Sequence, residues 1–237
     1  MTWTFMSFFF LVFQRSENAL DFLGERNLMQ GTISKVFEIL DGNKDERICL
    51  LREKQVIQWI FGDLSFLPSV ERKTLKQYTA KLKKCEDEWG RKILSKKRPD
   101  LRLKGQWSGP FGEALCQELC ILSGKEPKRP KKKEGKMPDV ETEEEIFEVK
   151  TQTFMTSGTA SQKILSVPFL YCKVPELYKK PLKILCIGGA EKLCRESYGV
   201  FNQKHCETKK KFLEFYSGMG MEFVAFSEAL TNYLSTE

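Results

Sequence analysis

The sequence predicts an α/β fold: a mixed central sheet flanked by helices, behind a mainly helical N-terminal region. Three observations predict it. "LKILCIGG", from Leu182 to Gly189, is a continuous apolar run closed by glycines, as a strand buried on both faces should be. The stretch from Phe147 to Gln152 alternates, with Phe147, Val149 and Thr151 on one side and Glu148, Lys150 and Gln152 on the other. Before residue 100, "TISKVFEIL" and "REKQVIQWIFGDL" place apolar residues three and four apart, the helical period. These patterns divide the chain into a helical region over 1–100 and an α/β domain over 101–237.

The first apolar run, Phe5 to Phe13, is shorter than the roughly 20 residues that span a bilayer. No basic residue precedes it and no small-residue cleavage site follows, which argues against a signal peptide. It reads as a buried strand or helix, or as translation from a start codon upstream of a natural one near Met29. No membrane association and an intracellular, cytoplasmic location are expected.

A helix is expected from Arg52 to about Asp63, then a turn near Pro68. A basic amphipathic helix follows, capped by Ser69 and most basic from Glu71 to Lys84. Leu75, Tyr78 and Leu82 share its inner face, while Arg72, Lys73, Lys76, Lys83 and Lys84 occupy the others. Two readings stand for this pair: a helix-turn-helix-like outline, or a solvated basic helix packed on its neighbours.

"SKKRPDLRLKG" is a basic connector. The next helix starts near Pro110 and ends at Gly124, with Leu115, Leu119 and Leu122 as its buried stripe. "KEPKRPKKKEGK" has no apolar residue and reads as a linker, an import-like run or a phosphate-contacting loop. Met137 to Val140 pairs with the alternating strand in a hairpin whose tip is "ETEEE". A crossover with a helix from near Thr159 leads to the buried strand. A helix from Gln203 to Tyr216, a short strand "MEFVAF" and a last helix capped by Ser227 complete the order: helix, strand, strand, strand, helix, strand.

The 237 residues carry 39 Lys and Arg against 32 Asp and Glu, a net charge of +7, which favours a polyanionic partner. The 8 cysteines form no CxxC pair and read as reduced, buried thiols. Cys194, His205 and Cys206 fit no common zinc spacing. His205 is the single histidine, and nothing nearby in sequence orients it, which argues against Ser-His or Cys-His catalysis.

The acidic hairpin carries the chemistry. Hydrolysing a phosphodiester needs an activated water, a stabilised charge and a leaving oxygen that does not stay anionic. A hard cation such as Mg²⁺ serves all three, and it prefers carboxylate oxygens. Carboxylates on adjacent strands can grip such an ion, and a lysine two residues beyond one of them reaches the water and the phosphate. Asp139, Glu148 and Lys150 have this arrangement if the hairpin forms. Glu113, near the start of the preceding helix, supplies a third carboxylate.

"PD", eight residues, then "EVK", after a helix bearing a glutamate, resembles the PD-(D/E)XK nuclease superfamily over roughly Gly109 to Phe226. The inferred order of elements is that of the superfamily's core. "EVKTQTF…GTASQKIL…P" and the basic helical region in front look most like a type II restriction endonuclease. The resemblance implies a restriction-endonuclease-like core (αβββαβ) and an Mg²⁺-dependent endonuclease cutting double-stranded DNA at a short specific site. Asp139 and Glu148 would be metal ligands, with the Val149 carbonyl completing the shell. Lys150 would position and help deprotonate the water, and Glu113 would bind metal directly or through water. Gln152 would sit near the scissile phosphate or a base edge.

An eight-residue gap is tight for that superfamily and forces the turn into "TEEE", so Glu141 or Glu143 could stand nearer the metal than Asp139. For DNA contacts the sequence nominates Lys131, Lys132 and Lys133 on the loop and Arg72, Lys73, Lys76 and Gln77 on the basic helix. The crossover side chains Thr159, Ser161 and Gln162 are the alternative base readers. A homodimer would match a palindromic site. A repair or recombination nuclease of the same fold, such as a junction resolvase, and a non-catalytic DNA-binding protein are the alternatives.

Overall fold

The computed structural model describes residues 19–235 apart from 72–73, 102, 104, 157–159 and 203–206, and describes no side chain over 19–26 or at 160 and 161. The run Phe5–Phe13, Arg72, Lys73, Thr159, the Ser161 side chain, His205 and Cys206 therefore lie outside the described residues.

Four strands form one mixed sheet in the order β1-β2-β3-β4: Val140–Glu141, Ile146–Gln152, Leu182–Gly188 and Met221–Ala225. β1 pairs antiparallel to β2, while β2, β3 and β4 run parallel. The period of two along a strand decides what each face meets. Phe147, Val149, Leu185 and Ile187 join one hydrophobic cluster, and Ile146, Leu182, Ile184 and Cys186 join the other. β3 is thus buried on both faces, as its unbroken apolar run predicts.

The first cluster receives α1 (Ala19–Asp41), α2 (Lys54–Ile60), α3 (Leu75–Lys97), α4 (Ser108–Leu122) and the C-terminal helix α10 (Phe226–Ser235). Ile57 and Trp59, before residue 100, share it with Phe111 and Leu185 beyond it. The second cluster is covered by α5 (Ala160–Leu165), α6 (Val167–Leu170), α7 (Val174–Tyr178) and α8 (Gly189–Glu196). The remaining helix, α9, is Glu207–Gly218.

Several boundaries differ from expectation. The basic helix starts at Leu75, where the Thr74 hydroxyl accepts the Gln77 N–H at 3.3 Å, so Thr74 rather than Ser69 is the cap. It ends at Lys97, three residues into the stretch that read as a connector, and Glu86, Gly90 and Leu94 continue its buried face. Leu75, expected inside, is 50% exposed. Residues 61–74 separate α2 from α3, far more than the three- or four-residue turn of a helix-turn-helix. Helix α8 follows β3 directly and was not expected, since the glycines at 188 and 189 read as a stop. Gly188 adopts φ +61 at that turn, and a Cβ on Gly189 would come within 2.4 Å of the Thr153 carbonyl. Ser227 lies inside α10 and bonds Glu191 instead of capping: its hydroxyl donates to Oε1 at 2.5 Å and its N–H to Oε2 at 3.0 Å. No helix among the described residues is long and apolar enough to cross a membrane.

Candidate active site

β1 is only two residues long, so it covers β2 opposite Ile146 and Phe147 and leaves the rest of that edge open. Backbone groups on an open edge need partners. The Asp139 N–H donates to the Phe147 carbonyl at 2.9 Å, and the Asp139 carboxylate then accepts the Val149 N–H at 2.7 Å. An acid side chain thus takes the place that another strand residue would fill. A strand residue sends its N–H and C=O to the same edge, so the Val149 carbonyl shares the edge that holds Asp139.

Glu148 and Lys150 follow on one side of β2, in register with Ile184 and Cys186 of β3. Lys150 Nζ stands 2.5 Å from Glu148 Oε1. Glu148 Oε2 is buried and has no hydrogen-bond partner among the described residues. Glu113 comes from α4, which packs on β2 so closely that a Cβ on Gly112 would lie 1.6 Å from the Thr151 hydroxyl.

The electrostatics tie these groups together. Burial raises the Glu148 carboxyl above the usual range, and the charge of Asp139 raises it further while Lys150 opposes both. Burial likewise raises Asp139, against the Val149 N–H and the charges of Lys150 and Arg129. Glu113 is raised by burial, then by Asp139 and Glu148, with Arg129 and Lys150 acting the other way. Three half-buried or buried carboxyls therefore repel one another, and the cations present do not cancel the excess.

The donor set fits a hard divalent ion. It is oxygen only, it is crowded with negative charge, and it contains an orphaned buried carboxylate oxygen. No group of three or more Asp, Glu, His or Cys is already arranged around a metal position among the described residues. Lys150 engages one oxygen of Glu148 and the Val149 N–H engages one oxygen of Asp139.

Glu141 stands elsewhere. It lies in β1 and pairs with Lys180 at 2.7 Å and Lys128 at 3.6 Å, which outweigh its partial burial and hold its carboxyl below the usual range. Glu143 is exposed. The acidic hairpin tip is partly neutralised by its own chain, with Lys125 on Glu144 and Glu145 at 3.0 and 2.8 Å. Asp139 is the acid that joins Glu148.

Other nominated residues are dispersed. Gln152 is buried at the end of β2. Lys131, Lys132 and Lys133 are all exposed on their loop, and Lys133 is also tied down: its Nζ donates to the Leu177 carbonyl at 2.9 Å and lies 4.5 Å from the Tyr178 ring centroid. Lys76 and Gln77 are exposed on the first turn of α3, and Gln162 is exposed on α5.

The structure adds residues that no spacing indicated. Tyr171 neighbours Glu148, and burial with the Glu148 charge pushes its phenol up to about 12. Lys136 Nζ lies 5.5 Å from the Tyr171 ring centroid. Arg129 sits close enough to Glu113 and Asp139 to stabilise both carboxylates. Only the basic composition of the loop hinted at Arg129 and Lys136, and nothing hinted at Tyr171. No family model, no curated protein and no solved structure matches this chain.

Proposed function

We propose that this protein is an Mg²⁺-dependent endonuclease that hydrolyses phosphodiester bonds of double-stranded DNA at a short specific site, as a type II restriction endonuclease does, and that it acts as a homodimer. One observation carries the reading: Asp139, Glu148 and Lys150 stand together at the open edge of β2, within electrostatic reach of Glu113, with one oxygen of Glu148 buried and unpartnered among the described residues. The same convergence supports the resemblance to the PD-(D/E)XK nucleases, and the order of strands and helices is compatible with their core.

Asp139, Glu148 and the Val149 carbonyl would hold the ion, with Glu113 reaching it directly or through a water. When bound, the ion supplies charge stabilisation and an acidified water. The protein's own groups do the rest. The Val149 N–H fixes the rotamer of Asp139. Lys150, tethered to Glu148, holds a proton donor at the same edge, where it orients the attacking water and offsets charge on the phosphate. Arg129 and Lys136 raise the positive potential around the carboxylates and draw the DNA backbone towards them.

A second reading, a repair or recombination nuclease of the same fold, is favoured by the attachment of α3. Its buried Glu86 accepts the Trp59 indole N–H at 2.7 Å and the Phe154 N–H at 2.8 Å, so the basic helix is built into the core instead of forming a separate base-reading head. Incubating plasmid with the purified protein and Mg²⁺, then sequencing the ends, separates the readings. Discrete bands with common ends indicate restriction, and cleavage confined to branched or damaged DNA indicates repair. Binding without cleavage sinks both and leaves a non-catalytic DNA-binding protein.

A further inference from the structure

Beside Lys150, between α3, the start of α4 and the end of β2, lies a cleft of about 450 Å³. Gln152 lines it and is 9% exposed, and its amide, with no hydrogen-bond partner among the described residues, opens into the cleft. An amide carries two donors and an acceptor, so it offers the cleft a complete set of hydrogen-bonding groups. Ser108 and Gly109, the first residues of the 15-residue helix α4, also line the cleft. Trp107 precedes them without a side-chain cap, so the first N–H groups of α4 face the cleft end without an intrahelical acceptor.

Two cations complete the lining. Arg91 of α3 and Lys163 of α5 are ion-paired to nothing among the described residues. Lys83 and Asp87 also lie there but pair with each other at 2.6 Å, and Asp87 takes the Trp107 indole N–H at 3.0 Å. The surplus charge therefore belongs to Arg91 and Lys163. An uncapped helix start with two unpaired cations suits a phosphate, and the Gln152 amide suits a base edge. The volume falls in the range of about 300–1,000 Å³ that holds a small ligand. It is too small for a duplex, whose major groove alone is about 12 Å wide.

We propose that this cleft takes one unpaired nucleotide of a DNA strand, its phosphate on the α4 N-terminus, Arg91 and Lys163, and its base edge on Gln152. The placement of that nucleotide next to the bond being cut rests on the proposed function; the binding itself does not. Taking a base out of its stack is least costly when it is mismatched, damaged or already single-stranded. Away from its own cut site, the protein then prefers DNA with an unpaired nucleotide over perfectly paired DNA.

The test uses the full chain in EDTA, so that no cleavage intervenes. Fluorescence anisotropy measures binding of a labelled 20-mer as a single strand, as a perfect duplex and as a duplex with one unpaired nucleotide, and calorimetry measures thymidine 5′-monophosphate. The single strand and the interrupted duplex should bind at least about tenfold tighter than the perfect duplex. Arg91→Ala and Lys163→Ala should each weaken those two by about tenfold, with Arg91→Lys retaining most of the affinity. Equal affinity for the perfect duplex, or variants within about twofold of the parent, overturns the proposal. Mononucleotide binding as tight as the strand also overturns it and assigns the cleft to a free nucleotide. Metal-dependent cleavage with unchanged Arg91→Ala binding defeats this inference alone, while tight strand binding without cleavage in Mg²⁺ defeats the nuclease reading alone.

Discussion

Lys150 Nζ sits 2.5 Å from Glu148 Oε1, two residues apart on one side of β2, while Glu148 Oε2 is left without a donor among the described residues. The lysine engages one oxygen of the carboxylate, and the proposed reading assigns the other to a cation. Lys150→Ala should therefore abolish cleavage while leaving DNA affinity within about threefold, because the exposed Lys131 and Lys132 are unaffected. Plasmid nicking and anisotropy on one preparation check both halves. Cleavage within about threefold of the parent would show that Lys150 does not serve the reaction.

The crowded carboxyls predict an inverted pH dependence of stability. Glu113, Asp139 and Glu148 all have folded pKa values raised first by burial, and for Glu113 and Glu148 next by neighbouring acids. A raised acid holds its proton more tightly in the folded state, so metal-free stability falls as pH climbs from the unfolded value through the folded one. Glu113→Gln removes one of these charges. It should raise the melting temperature in EDTA, more at pH 8 than at pH 5, while reducing activity less than Asp139→Ala or Glu148→Ala. A variant destabilised equally at both pH values would mean that Glu113 makes a stabilising contact as a carboxylate. Divalent ion should stabilise the parent at pH 8, and less as pH falls, because ligand oxygens must shed protons to bind it.

How much of this was legible in the sequence depended on whether the signal was periodic. The period of two from Phe147 to Gln152 separated Val149 from Glu148 and Lys150, and the unbroken run in β3 marked a strand with two buried faces. Helix α3 was legible through Leu94, but its inner face was read only at Tyr78 and Leu82, since Glu86 and Gly90 are a charge and a glycine that look like solvent positions. Their partners, the Trp59 indole and the Trp107 ring, come from distant segments. Tyr171 and Arg129 reach the carboxylates through loop and helix packing, which leaves no spacing to read.

Glu86 offers a test of that hidden anchorage. Its carboxylate accepts from Trp59, Phe154 and Met155, at 2.7, 2.8 and 3.3 Å, and so joins α3 to the chain leaving β2. Glu86→Ala strands these donors, and each buried donor without a partner costs about 1–3 kcal/mol. Urea denaturation should show a loss of at least about 2 kcal/mol, with a smaller loss for Glu86→Gln, whose remaining oxygen still accepts from Trp59 and Phe154. A loss below about 0.5 kcal/mol would mean water replaces the carboxylate at no cost.

A glycine sets the position of Glu113. A Cβ on Gly112 would stand 1.6 Å from the Thr151 hydroxyl and 2.8 Å from Thr151 Cβ, so α4 lies directly on β2 there. Gly112→Ala must push the helix away, at about 1–3 kcal/mol for overpacking, and carries Glu113 away from Asp139 and Glu148. Activity should fall further than in Glu113→Gln, since the move also disturbs Val149, whose Cγ1 lies 3.1 Å from where the new methyl would stand. Unchanged activity would show that the third carboxylate tolerates displacement.

The three lysines nominated on one loop should behave differently. Lys131 and Lys132 expose their ammonium groups, whereas Lys133 spends its own on the Leu177 carbonyl and the Tyr178 ring, and Tyr178 donates to the Lys131 carbonyl at 2.6 Å. Each phosphate contact by an exposed lysine releases counterions, giving a slope of about −0.9 in log affinity against log salt. Lys131→Ala and Lys132→Ala should each flatten the slope by about that amount and weaken binding to all sequences alike. Lys133→Ala should leave the slope nearly intact and lower the melting temperature instead, because it removes one of the ties between the loop and α7. Changing Lys76 and Gln77 on the exposed first turn of α3 should alter the ratio of cognate to non-cognate affinity if that turn reads bases. An unchanged ratio moves base reading to the crossover that carries Gln162.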